Sequence, residues 1–270
     1  MNRILGLSAA LFVLLAVALI GLRVPPQPFP PVTSGATSLE RVALPADLPA
    51  PVDRFYRSLY GSTVPVIESA VVSGRATLRI MGVSLPARFR FTHDVGDAYR
   101  HEIVATWYGI PILRVNETYV DGVARLELPF GVEEGPAVNQ GANLALWAEA
   151  MWFPAALVTD PRARWDVVDA STALLHVPYG GASESLVARF DASRSRLVVF
   201  EAMRYRGQDA IGKTLWLTAA EAWGEVNGHP TATHTTVQWF DEGRPWADFT
   251  VDHVAFNVPD VDARLQRPSR

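Results

Sequence analysis

Glu149 is the residue whose surroundings most invite chemistry. It is the single charge in Asn143–Val158, NLALWAEAMWFPAALV, and sits among Leu146, Trp147, Met151, Trp152 and Phe153. An apolar setting raises a carboxyl pKa and suits a general acid. It equally suits a structural carboxylate paired with an arginine from elsewhere, such as Arg204 or Arg79, because buried charges are usually paired. His234 and Asp252 form the second candidate catalytic pair. With a turn over 241–245, Phe240 faces Trp246, Gln238 faces Asp248, Thr236 faces Thr250 and His234 faces Asp252. Such a pair can act as an acid–base dyad. A polar row on a solvated sheet face reads the same way.

Several chemistries lack the residues they need. There is no cysteine, which removes disulfides, thiolate metal sites, a cysteine nucleophile and a lipid-modified cysteine. No G-x-S-x-G elbow supplies a serine. The six histidines, His93, His101, His176, His229, His234 and His253, fall in no H-x-H, H-x-x-x-H or H-E-x-x-H spacing. The sequence therefore yields no metal site and no cofactor, and His93, which shares a face with Phe89 and Phe91, reads as a core histidine. Gly180-Gly181 reads as a loop, without the strand–loop–helix pattern of a phosphate cradle. A net charge of −4 with no basic block argues against nucleic acid. The eight tryptophans imply a bulky apolar interior. Trp107, Trp147, Met151, Trp152 and Phe153 are the candidate ligand-binding residues, should that interior hold a cavity.

Positioning these residues is the work of strands on either side of one apolar segment. From Val66 the hydrophobic period is two: Ala76, Leu78 and Ile80; Phe89, Phe91 and His93; Ile103, Ala105 and Trp107; Ala124, Leu126, Leu128 and Phe130. One dry and one wet face is the mark of antiparallel sheet. Asp121-Gly122 and Asn227-Gly228 are tight-turn dipeptides. A second series runs from Trp165, as a strand or hairpin to Val177, through Leu186–Phe190, Leu197–Arg206, Leu215–Val226 and Thr231–Phe240 to Trp246–Val258. Between the series, Asn143–Val158 is predicted as a core helix, N-capped by Asn139 or Asn143 and ended or kinked near Pro154. Glu149 and Pro154 leave it too interrupted to cross a bilayer. Upstream, Val52, Phe55, Tyr56 and Leu59 mark a short amphipathic helix opened by Pro51 and closed by Gly61.

The N-terminus carries nineteen uncharged residues, Ile4–Leu22, after Arg3. As a helix they cover roughly 28 Å, close to a bilayer core. Residues 1–23 are thus predicted as a transmembrane signal-anchor; Ala16-Val17-Ala18 offers a cleavage site for the competing signal-peptide reading. Either way the main domain is expected outside the cytoplasm. Residues 24–49, rich in proline, read as an extended spacer. Residues 50–258 form the single β-rich domain, and 259–270 a flexible tail.

Certain segments resemble a family of uncharacterised bacterial proteins. They are Leu48-Pro49-Ala50-Pro51-Val52-Asp53-Arg54-Phe55-Tyr56 and Glu149-Ala150-Met151-Trp152-Phe153-Pro154-Ala155-Ala156-Leu157. Trp165-Asp166-Val167-Val168-Asp169, Phe190-Asp191, Arg204-Tyr205-Arg206, Gly228-His229-Pro230 and Trp239 extend the match. More distantly, in architecture, the pattern is similar to the incomplete barrels of lipoprotein carriers and mycobacterial lipid-binding lipoproteins. That resemblance implies a long antiparallel sheet that holds acyl chains against its helices.

The expected fold is α+β, mainly β: a large curved antiparallel sheet, half-barrel-like, wrapped around a central helix and preceded by an N-terminal transmembrane helix. The expected function is a membrane-anchored extracytoplasmic binding or carrier domain for a hydrophobic, lipid-like ligand. The alternatives are a hydrolase-like enzyme using Glu149 or the His234/Asp252 pair, and an interaction domain of a membrane assembly.

Overall fold

The computed structural model describes residues 12–14, 16–35 and 38–266. Its centre is one thirteen-stranded sheet, antiparallel throughout. A first meander holds β3 (Ser69–Ile80), β4 (Val83–Asp94), β5 (Ala98–Trp107), β6 (Ile110–Val120), β7 (Val123–Leu128) and β8 (Gly131–Glu134). A second holds β9 (Arg164–Val167), β10 (Thr172–Tyr179), β11 (Ala182–Asp191), β12 (Arg196–Tyr205), β13 (Lys213–Val226), β14 (His229–Trp239) and β15 (Ala247–Phe256). The first and last of these strands, β3 and β15, pair in the middle and join the meanders. The predicted curved antiparallel sheet is therefore present. Asp121-Gly122 and Asn227-Gly228 form the expected turns, with positive φ at all four residues.

The segment between the meanders lies across the concave face. It comprises α2 (Pro136–Ala148), a 3-10 turn (Glu149–Trp152) and α3 (Ala156–Thr159). Ten of the residues of α2 are buried, from Val138 and then Gln140 through Ala148, so the helix is apolar nearly all round. It starts earlier than predicted, because Pro136 occupies the first turn after Gly135 at φ 106. The predicted N-caps consequently lie inside the helix. Asn139 Oδ1 accepts from Ala124 N, while Asn143 accepts from the Tyr119 hydroxyl and donates to Pro178 O. The helix narrows to the 3-10 turn at Glu149, five residues before the expected stop at Pro154.

Strand directions give the concave face two distinct ends. The turns at Met81-Gly82, Tyr108-Gly109, Pro129-Phe130, Gly180-Gly181, 206–212 and 240–246 share one end; those at 95–97, 121–122, 168–171, 192–195 and 227–228 share the other. The second end is plugged by α1 (Ala50–Tyr60). Phe55 packs on Phe190 and Trp223, and the Tyr56 hydroxyl donates to Pro154 O.

Four expectations need correction. Residues 24–49 are not a free spacer. Phe29 lies under the guanidinium groups of Arg88 and Arg90 on the convex face, Val32 is buried, and β1 (Arg41–Ala43) pairs with β2 (Thr63–Pro65). Proline stiffens such a segment but does not stop its apolar side chains from packing. The tail is not loose over 259–266: α4 (Val261–Leu265) buries Leu265, and Arg100 donates to Arg264 O and Gln266 O. The β14–β15 register differs by two residues from the predicted one, so His234 pairs with Thr250. A 3-10 turn at Phe240–Glu242, closed by Gly243 in left-handed conformation, lengthens the connection. The fourth concerns the helix start, given above. Most of the expected signal-anchor lies outside the described residues. Residues 12–14 and 16–21 are helical, and among the described residues no helix is long and apolar enough to cross a membrane.

Candidate functional site

The inward face of the first meander carries three ionisable side chains where alternation calls for apolar ones. Sheet register sets their arrangement. One row across the sheet is Val72, Phe91, His101, Glu117 and Leu126 on β3 to β7. The next row is Ala70, His93, Tyr99, Tyr119 and Ala124. His93 and His101 are therefore diagonal neighbours on adjacent strands, with ring centroids 5.9 Å apart. From across the concavity, the 3-10 turn after α2 brings Glu149 down onto both.

His101 Nε2 lies 2.8 Å from Glu149 Oε2, and His101 Nδ1 lies 3.4 Å from Glu117 Oε2. The ring is held between Tyr99 and Phe91, each stacked on it at a centroid distance of 3.9 Å. Burial disfavours its charge, but Glu149 and Glu117 overcome that and raise its pKa to about 9. Burial likewise lifts Glu149 above the usual carboxylate range, against the pull of His101. Glu117 is shifted downward: hydrogen bonding and charge from His101 outweigh its burial. His93 behaves oppositely to His101. Burial, reinforced by the neighbouring His101, drives its pKa well below the ordinary value, so it is neutral. His93 Nε2 is 3.4 Å from Glu149 Oε2 without hydrogen-bond geometry. Among the described residues, His93, His101 and Glu149 are the group whose donor atoms converge closely enough to hold a metal ion.

His101, Glu117 and Glu149 form the floor of a cavity of about 480 Å³ that opens at the unplugged end, with His93 behind them. Its walls are Leu78, Ile103, Leu113, Val115, Met151, Trp152, Trp216, Trp239, Trp246 and Phe249, with Phe130 at the mouth. Arg204 also lines it, stacked 4.8 Å from the centroid of Trp216, and makes no ion pair among the described residues. Gly141 on α2 makes room for it: a Cβ there would stand 2.8 Å from Arg204 Nε. The indole N–H groups of Trp152, Trp216 and Trp246 are buried with no partner among the described residues. A larger groove of about 860 Å³ lies on the convex face, but it is shallow and bordered by Arg100, Glu102, Arg114, Arg125 and Glu127.

The sequence-based candidates have separate fates. Glu149 is in the site with a raised pKa; its hydrogen-bonded partner is His101, and of the two expected arginines Arg204 shares the cavity, its charge acting on Glu149 without an ion pair. Arg79 instead pairs with Glu242. His234 and Asp252 are not a pair: His234 Nε2 bonds Asp248, while Asp252 bonds Arg75. Of the candidate ligand-binding residues, Met151 and Trp152 line the cavity. Trp147 packs under Arg162 and Phe153 against His93, both away from the cavity. Trp107 is partly exposed at the rim, where its Nε1 donates to Ala18 O. His101 and Glu117 were missed. Extending the predicted Ile103/Ala105 alternation back by two reaches His101, and a charged group on the dry face is the signal that could have found both.

Residues 38–249 match the model described as "Family of unknown function (DUF6544)", and the chain belongs to that family. This agrees with the resemblance to an uncharacterised β-rich family. No curated protein matches the chain. Among solved structures it is similar to a DUF1329 family protein from Desulfovibrio piger, with 12% identity, TM-score 0.46, and 81% of this chain and 96% of that one covered. It is also similar to a putative outer membrane lipoprotein-sorting protein domain from Vibrio parahaemolyticus, at 11% and 0.44, covering 80% and 96%. A LolA superfamily protein from Nitrosomonas europaea aligns at 9% and 0.47, again covering 80% and 96%. At such identities and scores the likeness is one of fold outline only.

Proposed function

We propose that this DUF6544 chain is a binding or carrier domain for an apolar ligand, in the first instance an acyl lipid, held in the concave cavity. The carrying observation is the cavity itself: about 480 Å³, apolar-walled and open at one end. That volume is within the usual range of small-molecule sites, roughly 300–1,000 Å³.

The mouth supports the choice of a lipid. Met81, Phe130 and Ile211 are 97%, 95% and 105% exposed, and all three sit on turns at the open end. Apolar side chains exposed on three turns of the same end are what a rim that meets a membrane would carry. The N-terminal segment reaches this same end: Tyr108 donates from its hydroxyl to Val17 O and from its backbone N–H to Gly21 O. We therefore read residues 1–23 as a membrane anchor that turns the cavity mouth toward the bilayer, with the domain outside the cytoplasm.

Lipid extraction of protein purified from membranes, followed by titration of delipidated protein with a fluorescent acyl probe, tests the reading. Saturable binding that is lost in Ala105→Trp, which fills the cavity, is the expected result. Delipidated protein that binds no acyl probe removes it. A hydrolase-like second reading is favoured by Glu149, a carboxyl raised by burial and hydrogen-bonded to His101 at the cavity floor. Turnover of ester substrates that is unchanged in Glu149→Gln would eliminate that one.

A further inference from the structure

Among the described residues, His93 is the side chain that leaves two buried polar atoms without a hydrogen-bond partner. It is fully buried, and neither ring nitrogen has a hydrogen-bond partner among the described residues. Buried polar side chains are nearly always satisfied, so an orphan of this kind calls for a missing partner. Its Nε2 is 3.4 Å from the Glu149 oxygen that His101 Nε2 approaches at 2.8 Å. One donor atom from each of the three residues lies within 4.8 Å of the others. In a tetrahedral site with bonds of about 2.0–2.1 Å, adjacent donors stand roughly 3.3 Å apart. The His93–Glu149 edge, 3.4 Å, already has that length, and the His101–Glu149 edge, 2.8 Å, is a hydrogen bond that would open by roughly half an ångström when an ion replaces its proton.

Two more observations do not depend on those distances. Glu117 stands 3.4 Å from His101 Nδ1, the ring nitrogen pointing away from Glu149. Metal-binding histidines usually offer their second nitrogen to a carboxylate, which fixes tautomer and orientation. The His101 ring is also clamped between Tyr99 and Phe91, so its orientation is set by packing.

We propose that His93 Nε2, His101 Nε2 and a Glu149 carboxylate oxygen form a three-ligand site for a first-row divalent ion, zinc in the first instance. Once the ion displaces the proton that His101 shares with Glu149, two neutral imidazoles and one carboxylate suit a borderline ion; calcium and magnesium prefer oxygen shells. His101 and Glu149 line the cavity and His93 lies behind them, so a fourth coordination position faces the cavity. The polar end of a bound amphiphile, or a water, would take it. The site goes beyond the carrier reading: metal binding is measured without a lipid, and either result can fail alone.

The test uses the full chain, made without a histidine tag and stripped with dipicolinate. It is then titrated with Zn²⁺ and Co²⁺ near neutral pH. About one ion per chain by elemental analysis, and visible Co²⁺ bands of tetrahedral intensity, are expected. His93→Ala and Glu149→Gln lose stoichiometric binding. Glu117→Gln weakens it by roughly 10–100-fold, as loss of a supporting carboxylate does. His234→Ala and His176→Ala, on the outer faces, bind as before. Should His93→Ala fail to fold, His93→Cys keeps a ligand and adds a sulfur–cobalt charge-transfer band. Stripped wild type that takes up no stoichiometric ion overturns the proposal. So does uptake that survives in both His93→Ala and Glu149→Gln, or a His93→Cys protein without the sulfur band.

Discussion

At the plugged end of the concave face, Phe55 and Tyr56 of α1 close over Phe190, Trp223 and the chain at Pro154. At the open end, Trp216, Trp239, Trp246 and Phe249 are just as aromatic, yet they surround a cavity. Composition does not separate the two ends. What differs is whether a second segment of chain lies across the strands. The same helical segment serves both ends, but its 3-10 turn delivers Glu149 to the junction between them, where a packed interior gives way to a polar floor. Bulky apolar residues inside a curved sheet therefore announce a core or a pocket with equal force, and the plug decides.

The contrast can be broken most severely at the plugged end. Phe55→Ala removes a ring that is 1% exposed and should destabilise the protein by about 3–5 kcal/mol in denaturant unfolding. Acyl-probe affinity should be untouched at temperatures where the variant stays folded; a matching loss of affinity would show that the two ends are one unit.

At the junction, the two histidines impose opposite pH dependences on metal-free protein. The His101 pKa is raised from 6.5 to about 9. Its contribution to stability is fully present below 6.5 and is lost as pH rises through about 9. The His93 pKa is lowered, so its contribution is present above 6.5 and is lost as pH falls through that value and below. Urea midpoints across this range should decline on the alkaline side for wild type, and the decline should flatten in His101→Gln. An unchanged alkaline slope in that variant would place the titrating group elsewhere.

Gly141→Ala sharpens the comparison on the open side. The added methyl meets Arg204 Nε and forces the guanidinium to shift; the helical preference of Ala over Gly, about 1 kcal/mol, offsets the cost of moving that flexible side chain, so stability should change by less than about 1 kcal/mol. Probe affinity should change with it, whereas Phe55→Ala leaves affinity alone. Smallest in stability is Phe130→Ser. A side chain 95% exposed should change unfolding by less than about 0.5 kcal/mol. Sedimentation with anionic vesicles should nevertheless fall, because the rim loses apolar area; equal sedimentation would argue against the mouth meeting a bilayer.

The alternation of Phe89, Phe91 and His93, and of Ile103 and Ala105, gave the dry face of the sheet correctly, because side-chain direction in a strand follows from local geometry alone. The turns at Asp121-Gly122 and Asn227-Gly228 were legible for a similar reason: Asp and Asn tolerate positive φ better than most side chains, and Gly follows each. The apolar run around Glu149 was correctly read as the segment within the sheet, and the motif Trp152-Phe153-Pro154 pointed to the family. Its helix boundaries were not, since Pro136 set the start and the change to 3-10 at Glu149 has no strong local signal.

The site itself needed tertiary structure. A period of two fixes the face a residue occupies, not the row it shares with neighbouring strands. His101 lies opposite Glu117 and diagonal to His93 only through the lengths of two hairpins. The same limit misplaced the β14–β15 register by two residues, which kept every face right and every partner wrong. Sequence determined that this chain makes a curved antiparallel sheet around an apolar helical segment, because those signals are local. Whether Glu149 met arginine or histidine, and whether the aromatic interior closed or stayed open, depended on distant segments meeting, which only the folded chain decides.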